Sequence, residues 1–398
     1  MDNTKKNILI IMNNLRVGGA EKALISLLQT FDYSLYNVDL LLFKKEGLFI
    51  NQIPKEVILL EEPPEYKYFD MAFFKAILDA FKLRRLDIIF NRIKMAYLFK
   101  TEKNGAIREQ KLWKYLGKCL QPISKKYDLA IGFLEKTPNY FCVDKTTAKI
   151  KTGWIHTSYS NLKMNSKFDL KYFEKFDKII TISKTCAVDL ENIFPMFLNK
   201  IMIFENIIPS NLIEKLSNDE VDFKTESNTL LLVTVSRLSY EKGCDLAIES
   251  CKILKKQNVN FIWIFIGEGN QREYLQDKIS EYNLENHAVL LGLKENPYPY
   301  VKLANFYIQP SRYEGKSISI DEAKILKKPI IVTNFSTAKD QINSGENGLI
   351  VAMNPEAIAN AIINLQCNLE LQNKLVFNLS NEKMGNESEI EKIYALIN

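Results

Sequence analysis

Short apolar runs separated by longer stretches of helical periodicity set the pattern of this chain. In the first half, Ile8–Met12, Val38–Phe43, Val57–Leu60, Leu129–Phe133, Thr152–Ile155, Lys178–Ile182 and Ile201–Phe204 read as strands. Helical patterns lie between them, including Glu21–Thr30 and Ala72–Tyr97. A polar, charged stretch with a proline at 209 then interrupts the alternation and reads as a linker over 207–228. The alternation restarts with strands at Leu230–Val235, Phe261–Ile266, Val289–Leu291, Phe306–Ile308 and Ile330–Val332, and with helices at Asp245–Gln257 and through Leu275 to Tyr282. Strands alternating with helices predict a parallel sheet wrapped by helices. The fold class is therefore α/β, with two Rossmann-like halves facing each other. The first domain spans 1–206, the second 229–385, and a C-terminal helix over 386–398 follows Gly385. Two domains is also the expectation for 398 residues.

Composition narrows the class. Apolar content of 46% and charged content of 25% are those of a soluble globular protein. A formal charge of +5 is too mild to imply nucleic acid, and neither zinc-finger spacing nor an RNA-binding aromatic signature is present. The six cysteines (Cys119, Cys142, Cys186, Cys244, Cys251, Cys367) are scattered without a C-x-x-C and read as free, buried thiols in a reducing compartment. With His156 and His287 as the only histidines, a multi-histidine metal site is excluded, while a site of carboxylates alone stays open. The apolar run Asn7–Met12 is too short for a signal-peptide core, and no run reaches about 18 apolar residues. The expected location is the cytoplasm, free or attached to a membrane surface.

Charge is distributed unevenly. Between Lys75 and Lys126 fourteen Lys and Arg face four Asp and Glu, with Phe81, Phe90, Tyr97, Phe99, Trp113 and Tyr115 interleaved. A basic amphipathic segment with aromatics suits an anionic membrane surface; a solvated helix face over an ordinary core is the plain alternative.

The candidate chemistry gathers at strand ends. Glu314 follows the strand at Asn305–Gln309 across a short Pro310-Ser311 loop, and Glu322 falls in the first turn of a helix expected over Ser319–Leu326. One carboxylate thus sits at the carboxyl end of a strand, where ligands bind in open α/β sheets, and the other beside a helix amino terminus suited to phosphate. Arg237 and Lys242, five residues apart, follow the Leu230–Val235 strand and precede a helix. Cations in that position make a diphosphate pocket; a solvated loop of charges is the alternative. Gly18-Gly19 follows the first strand without the three-glycine spacing of a dinucleotide fingerprint, so it reads either as backbone N–H groups offered to a phosphate or sugar or as a bland helix start. Gly267-Glu268-Gly269 is a weaker candidate of the same kind. His156 ends the apolar run Gly153–Ile155, where it can reach a sugar hydroxyl or serve only the core.

Taken together these residues resemble the retaining glycosyltransferases of the GT-B fold, in the large family four. Gly18-Gly19, His156, Arg237 with Lys242, and Glu314 with Glu322 match that family's pattern in order and approximate spacing. Tyr313-Glu314-Gly315, Asp321-Glu322-Ala323, Asn296-Pro297-Tyr298-Pro299-Tyr300 and Gly345–Leu349 look like bacterial enzymes that build capsular or exopolysaccharide units. Ser236, Lys316-Ser317 and Lys328 depart from the usual residues and bear on sugar identity. The resemblance implies two Rossmann-like domains facing a central cleft, with the C-terminal helix packing back on the first. It implies a nucleoside-diphosphate sugar donor, with UDP favoured over GDP, and a glycan or lipid-linked acceptor in bacterial surface polysaccharide synthesis. Arg237 and Lys242 would hold the diphosphate, Glu322 the ribose, and Glu314 with the backbone of Gly315, Lys316 and Ser317 the transferred sugar. His156 and Gly18-Gly19 would complete the site from the first domain. No metal or other cofactor and no nucleic acid is expected; the anionic membrane surface via 75–126 is. A sugar-nucleotide epimerase and a non-catalytic partner subunit are the competing readings, and a dehydrogenase is disfavoured for want of its fingerprint.

Overall fold

A computed structural model describes residues 5–397 apart from 17, 222, 224, 225, 227, 383 and 384. The chain divides into two compact units, Met1–Asn206 with Ser388–Asn398, and Ile207–Glu387.

The first unit is built on a seven-stranded parallel sheet. Its strands are β1 (Lys6–Met12), β2 (Tyr36–Leu42), β3 (Ile58–Leu59), β4 (Lys126–Gly132), β5 (Thr147–Ile155), β6 (Lys178–Thr181) and β7 (Ile201–Ile203). Their order is β3-β2-β1-β4-β5-β6-β7. The chain winds one way from β1 to β3 and the other way from β4 to β7, so the direction reverses between β1 and β4. That is the topological switch point at which open α/β sheets bind ligands, outside the carboxyl ends of the strands. The strands are continuous apolar runs because helices cover both faces; Ile8 through Met12 are fully buried.

The second unit repeats the plan with β8 (Leu230–Val235), β9 (Phe261–Ile266), β10 (Ala288–Gly292), β11 (Phe306–Gln309), β12 (Ile330–Thr333) and β13 (Leu349–Val351). The order is β10-β9-β8-β11-β12-β13, so the reversal falls between β8 and β11. Alternate strand residues feed two cores: Leu230, Leu232, Trp263 and Phe265 on one face, Leu231, Val233, Ile264 and Ile266 on the other. This is the period-two pleat of a strand buried on both sides.

Four local features differ from the sequence reading. The stretch read as a linker is part of the second unit: it carries a helix at Ser210–Leu216, and Ile207, Ile208 and Ile213 are buried. Its polar outward face hid those three anchors. The pattern Ala72–Tyr97 is two helices, Phe73–Lys82 and Leu86–Thr101, broken where Arg84 turns left-handed at φ 55° without a glycine or proline to announce it. The chain also adds β13 just past the expected late loop. Finally, Cys367 is exposed, and only the other five thiols are buried.

The final helix, Ile390–Ile397, returns to the first unit. Tyr394 stacks on Tyr36 with ring centroids 4.4 Å apart, and its hydroxyl accepts from the Asp32 N–H at 2.8 Å. Among the described residues no helix is long and apolar enough to cross a membrane.

Candidate active site

In the second unit the two strands flanking the reversal deliver the two charged loops. After β8 the chain runs through Ser236–Ser239, a tight turn at Tyr240–Lys242, and Gly243, which opens the helix Cys244–Lys256. Gly243 is left-handed at φ 64°, and a Cβ there would lie 2.0 Å from the Pro310 carbonyl oxygen. Only glycine lets this loop rest directly on the loop that follows β11. Gly267 closes the other side: at φ 146° its missing Cβ would lie 1.9 Å from the Ser236 carbonyl oxygen. Arg312 then ties the β8 and β11 loops together. Its guanidinium donates to both Asp245 oxygens at 2.7 Å and to the Tyr240 carbonyl at 2.8 Å, while its own N–H donates to the Glu241 carbonyl at 2.7 Å.

The consequence is a part-buried, two-pronged ion pair. Lys242 Nζ donates to Glu314 Oε1 at 2.7 Å and to Oε2 at 2.8 Å. Glu314 Oε1 also accepts from Ser311 Oγ at 2.7 Å and from Gln309 Nε2 at 3.1 Å. The Tyr307 hydroxyl donates to Gln309 Oε1 at 2.6 Å, which fixes the amide's direction. Thr337 Oγ1 donates to the Glu314 carbonyl at 3.0 Å. Burying two charges costs more than their attraction returns unless further hydrogen bonds saturate them; Gln309 and Ser311 supply those bonds here.

Arg237 lies on the same loop as Lys242, with half its side chain exposed, and pairs with Glu241 at 3.6 Å. The helix after the β11 loop is Ile318–Ile325, so Glu322 is its fifth residue rather than part of its first turn, which holds Asp321 instead. Glu322 is buried, and Oε1 accepts from the Tyr298 hydroxyl at 2.9 Å. The Ser317 N–H already donates to Gln341 Oε1 at 2.8 Å, and Gln341 Nε2 returns a bond to the Ser317 carbonyl at 2.8 Å. Gly315 is buried and Lys316 partly so, within the same turn.

Gly18, Gly19 and His156 belong to the first unit. Gly18 caps the helix Gly19–Thr30 in an extended conformation that any residue adopts, and a Cβ on Gly19 would meet open space. His156 immediately follows β5 and is partly buried, with its ring against Phe133 at 4.8 Å and Trp154 at 5.7 Å. Burial pushes the imidazole down to about 4, against a smaller opposite pull from the Phe133 carbonyl. Among the described residues, neither ring nitrogen meets a partner at hydrogen-bonding geometry. The His156 N–H donates to Glu135 Oε1 at 2.5 Å.

The spacing pattern missed Gln309, Ser311, Arg312, Tyr298, Gln341 and Glu135. Single polar residues inside apolar runs were the available signal: Gln309 closes a four-residue strand that is otherwise Phe, Tyr and Ile.

Residues 217–379 match the family of glycosyl transferases group 1. The matched stretch lies within the second unit. Proteins similar to this chain include the poly(ribitol-phosphate) alpha-N-acetylglucosaminyltransferase of Staphylococcus aureus, 26% identical over 66% of this chain and 53% of the relative. Another is the N-acetylgalactosamine-N,N'-diacetylbacillosaminyl-diphospho-undecaprenol 4-alpha-N-acetylgalactosaminyltransferase of Campylobacter jejuni, 28% identical over 46% of this chain and 49% of the relative. The chain spans about half the length of the curated relatives it matches. Among solved structures, S. aureus TarM in complex with Fondaparinux, alpha-GlcNAc-glycerol and UDP aligns at a TM-score of 0.68, 16% identical, over 99% of this chain and 100% of the other. Anabaena HepE in complex with UDP and glucose aligns at 0.68, 15% identical, over 98% of both chains. At these identities the likeness shows the fold, which is that of the GT-B glycosyltransferases.

Proposed function

We propose that the chain is a retaining glycosyltransferase that moves a hexose-type sugar from a UDP-sugar to a lipid-linked or oligosaccharide acceptor in bacterial surface polysaccharide synthesis. The observation that carries this reading is the Lys242–Glu314 pair, held by two loops at the carboxyl ends of β8 and β11. The S. aureus relative's name specifies an alpha-linked N-acetylglucosaminyl transfer, and the C. jejuni relative's names a diphospho-undecaprenol acceptor; both support the reading.

Arg237 and Lys242 are assigned to the diphosphate, so charge neutralisation falls to side chains and no metal is assigned to it. Glu322 takes the ribose hydroxyls. Glu314 orients the transferred sugar together with the turn at Gly315 and Lys316; Ser317 shapes that turn through Gln341. His156 and the Gly18-Gly19 start of the first helix serve from the first unit. In the step itself the bond from the anomeric carbon to the phosphate oxygen breaks and the acceptor oxygen bonds to the same face of that carbon. The departing diphosphate takes the acceptor's proton. Negative charge grows on the bridging oxygen, and fixed cations stabilise it without reorganising.

Calorimetry of UDP binding tests the donor assignment. Glu322→Ala is expected to weaken UDP by roughly 10–100-fold, the loss of about 1.5–3 kcal/mol from hydrogen bonds to a charged group. Unchanged affinity would remove Glu322 from the ribose.

The acceptor's lipid fits a second feature. Phe74, Leu78 and Phe81 form an exposed stripe at i, i+4, i+7 on one helix of the first unit, and Leu86, Phe90, Ile93 and Tyr97 continue it on the next. Phe74 is 80% exposed and Tyr97 70%. Lys75, Lys82, Arg84 and Lys94 flank them, with Lys94 Nζ 4.0 Å from the Phe90 ring centre. Trp113, by contrast, is buried and donates to Asp144, so the surface ends before the helix Gly105–Cys119. We assign this face to the anionic inner surface of the cell membrane. Vesicles containing phosphatidylglycerol should retain the protein and release it in high salt by screening, and Phe74→Ser with Tyr97→Ser should abolish retention. Retention that survives both treatments contradicts the assignment.

A further inference from the structure

Two salt bridges cross between the loops that follow β8 and β11, and they run in opposite senses. The β8 side gives Lys242 and then Asp245; the β11 side gives Arg312 and then Glu314. The donor chemistry uses Lys242 and Glu314 and leaves Arg312 and Asp245 without a task. Asp245 lies in the first turn of the helix Cys244–Lys256 and accepts from both terminal nitrogens of the guanidinium at 2.7 Å. Side-chain exposures of 13% for Arg312 and 18% for Asp245 shelter the pair from the solvent screening that leaves surface ion pairs nearly worthless. The rest of Arg312 grips the turn that carries Lys242. Nη1 also donates to the Tyr240 carbonyl at 2.8 Å, and the guanidinium carbon lies 4.2 Å from the centre of the Tyr240 ring. The Arg312 backbone N–H donates to the Glu241 carbonyl at 2.7 Å. One residue therefore fixes Tyr240, Glu241 and Asp245, on either side of Lys242.

We propose that Arg312, locked by Asp245, is a positioning residue for the donor's diphosphate: it holds the β8 turn so that the Lys242 ammonium keeps its place when the donor binds. The proposal rests on the glycosyltransferase reading. In the free protein Lys242 and Glu314 bridge the two loops by themselves. On the roles assigned to them, the diphosphate draws on Lys242 and the transferred sugar on Glu314, so that bridge is shared with the ligand when alignment matters most. Arg312 and Asp245 are assigned no part of the donor, and their bridge is left to hold the loops together. A lysine carried on a loose turn loses entropy each time it is ordered by a ligand; a turn already fixed does not. Lysine cannot replace Arg312 in this task. A point charge on a flexible stem lacks the planar fork that engages both carboxylate oxygens at once. Nor is Arg312 a further phosphate contact, because both of its terminal nitrogens are already engaged.

Calorimetry of UDP and saturation-transfer NMR of uridine, on the full chain and on its Arg312→Lys and Asp245→Asn variants, test the clamp. Uridine lacks the diphosphate and so bypasses Lys242. UDP affinity is expected to fall about tenfold in both variants, the worth of the charge-assisted bonds that set the turn, while uridine binding is unchanged. Retained uridine binding also shows that each variant is folded. Asp245→Asn supplies the deciding sign. Removing an anion close to a diphosphate tightens binding if only the field matters, whereas loss of the clamp weakens it. Arg312→Lys keeps the charge, so a loss there is one of geometry. Equal losses of UDP and uridine would mark general damage to the fold and overturn the proposal, as would a tighter UDP complex in Asp245→Asn. A parent chain that binds UDP no better than Arg312→Lys sinks the clamp alone and leaves the donor reading standing. A parent chain that binds no UDP sinks the donor reading and the clamp with it.

Discussion

The two units reverse their sheets at equivalent places and finish them with opposite electrostatics. At the carboxyl ends of β8 and β11 every charge has a partner: Glu314 is saturated by Lys242, Ser311 and Gln309 before any ligand arrives. At the ends of β4 and β5 the polar groups are buried but incompletely matched, with both His156 ring nitrogens unbonded among the described residues. The difference follows from the charge each place carries. A diphosphate needs fixed cations, and a cation held ready in a partly buried loop is costly unless a counter-ion stands beside it. A neutral imidazole is only a dipole, and an unmatched dipole costs about 1–3 kcal/mol, which a folded unit tolerates. Glu314 neutralises Lys242 in the free protein, beside the sugar-orienting role proposed for it.

The largest expected effect breaks the matched side. Lys242→Ala should lower kcat by about 10²–10³-fold, roughly 3–4 kcal/mol of transition-state stabilisation. It should also destabilise the second unit by on the order of 3 kcal/mol, because Glu314 stays buried without its cation. Adding Glu314→Gln should restore most of the stability and none of the turnover. Thermal unfolding and kinetics on the single and double variants separate the two roles. A double variant no more stable than Lys242→Ala alone would mean that Glu314 is not held by the pair.

Proton linkage probes the unmatched side. His156 titrates near 4 in the folded chain, below its ordinary value of 6.5. Above 6.5 it is neutral in both states, and well below 4 it is charged in both. Between those values the unfolded chain binds more protons, so its contribution to stability is whole above 6.5 and is lost as pH falls toward 4. The full loss is about 3 kcal/mol at roughly 1.4 kcal/mol per unit. Glu135 is raised and pulls the other way, so the informative quantity is the difference between the parent chain and His156→Gln. Urea unfolding at several pH values from 7 to 4.5 should show a steeper decline for the parent chain. Parallel declines would mean that His156 is not sealed from water.

The fold was legible because parallel strands are buried on both faces and appear as uninterrupted apolar runs. The Lys242–Glu314 pair could be anticipated because each residue sits a few positions past such a run, in a loop at a strand's carboxyl end. Their partners could not. Gln309 and Ser311 matter only through the direction of one amide and one hydroxyl, which no spacing encodes. The linker assigned to 207–228 failed because three buried isoleucines in a mostly polar stretch leave no period to detect. Trp113 was grouped with the exposed aromatics because a basic helix looks solvated from composition, yet Trp113 and Leu116 face inward three residues apart. The break at Arg84 required a left-handed residue that no local preference demanded.

The smallest expected effect sharpens the comparison within the matched side. Tyr298 is buried and aims its hydroxyl at Glu322 Oε1, 2.9 Å away. In the sequence it is an aromatic among prolines, with nothing to mark it as a partner of a carboxylate 24 positions later. Its bond holds Glu322 in one orientation, as Gln309 and Ser311 hold Glu314, ahead of the ribose proposed to bind there. Tyr298→Phe keeps the ring and its packing and removes that single donor. UDP affinity should then fall about fivefold, the worth of one hydrogen bond near 1 kcal/mol, while kcat at saturating donor stays unchanged because the diphosphate contacts are untouched. A KM-only defect of that size would establish Tyr298 as a positioning residue. A fall as large as that of Glu322→Ala would mean that the tyrosine hydroxyl itself reaches the nucleotide, and no change at all would mean that Glu322 is oriented by its helix alone.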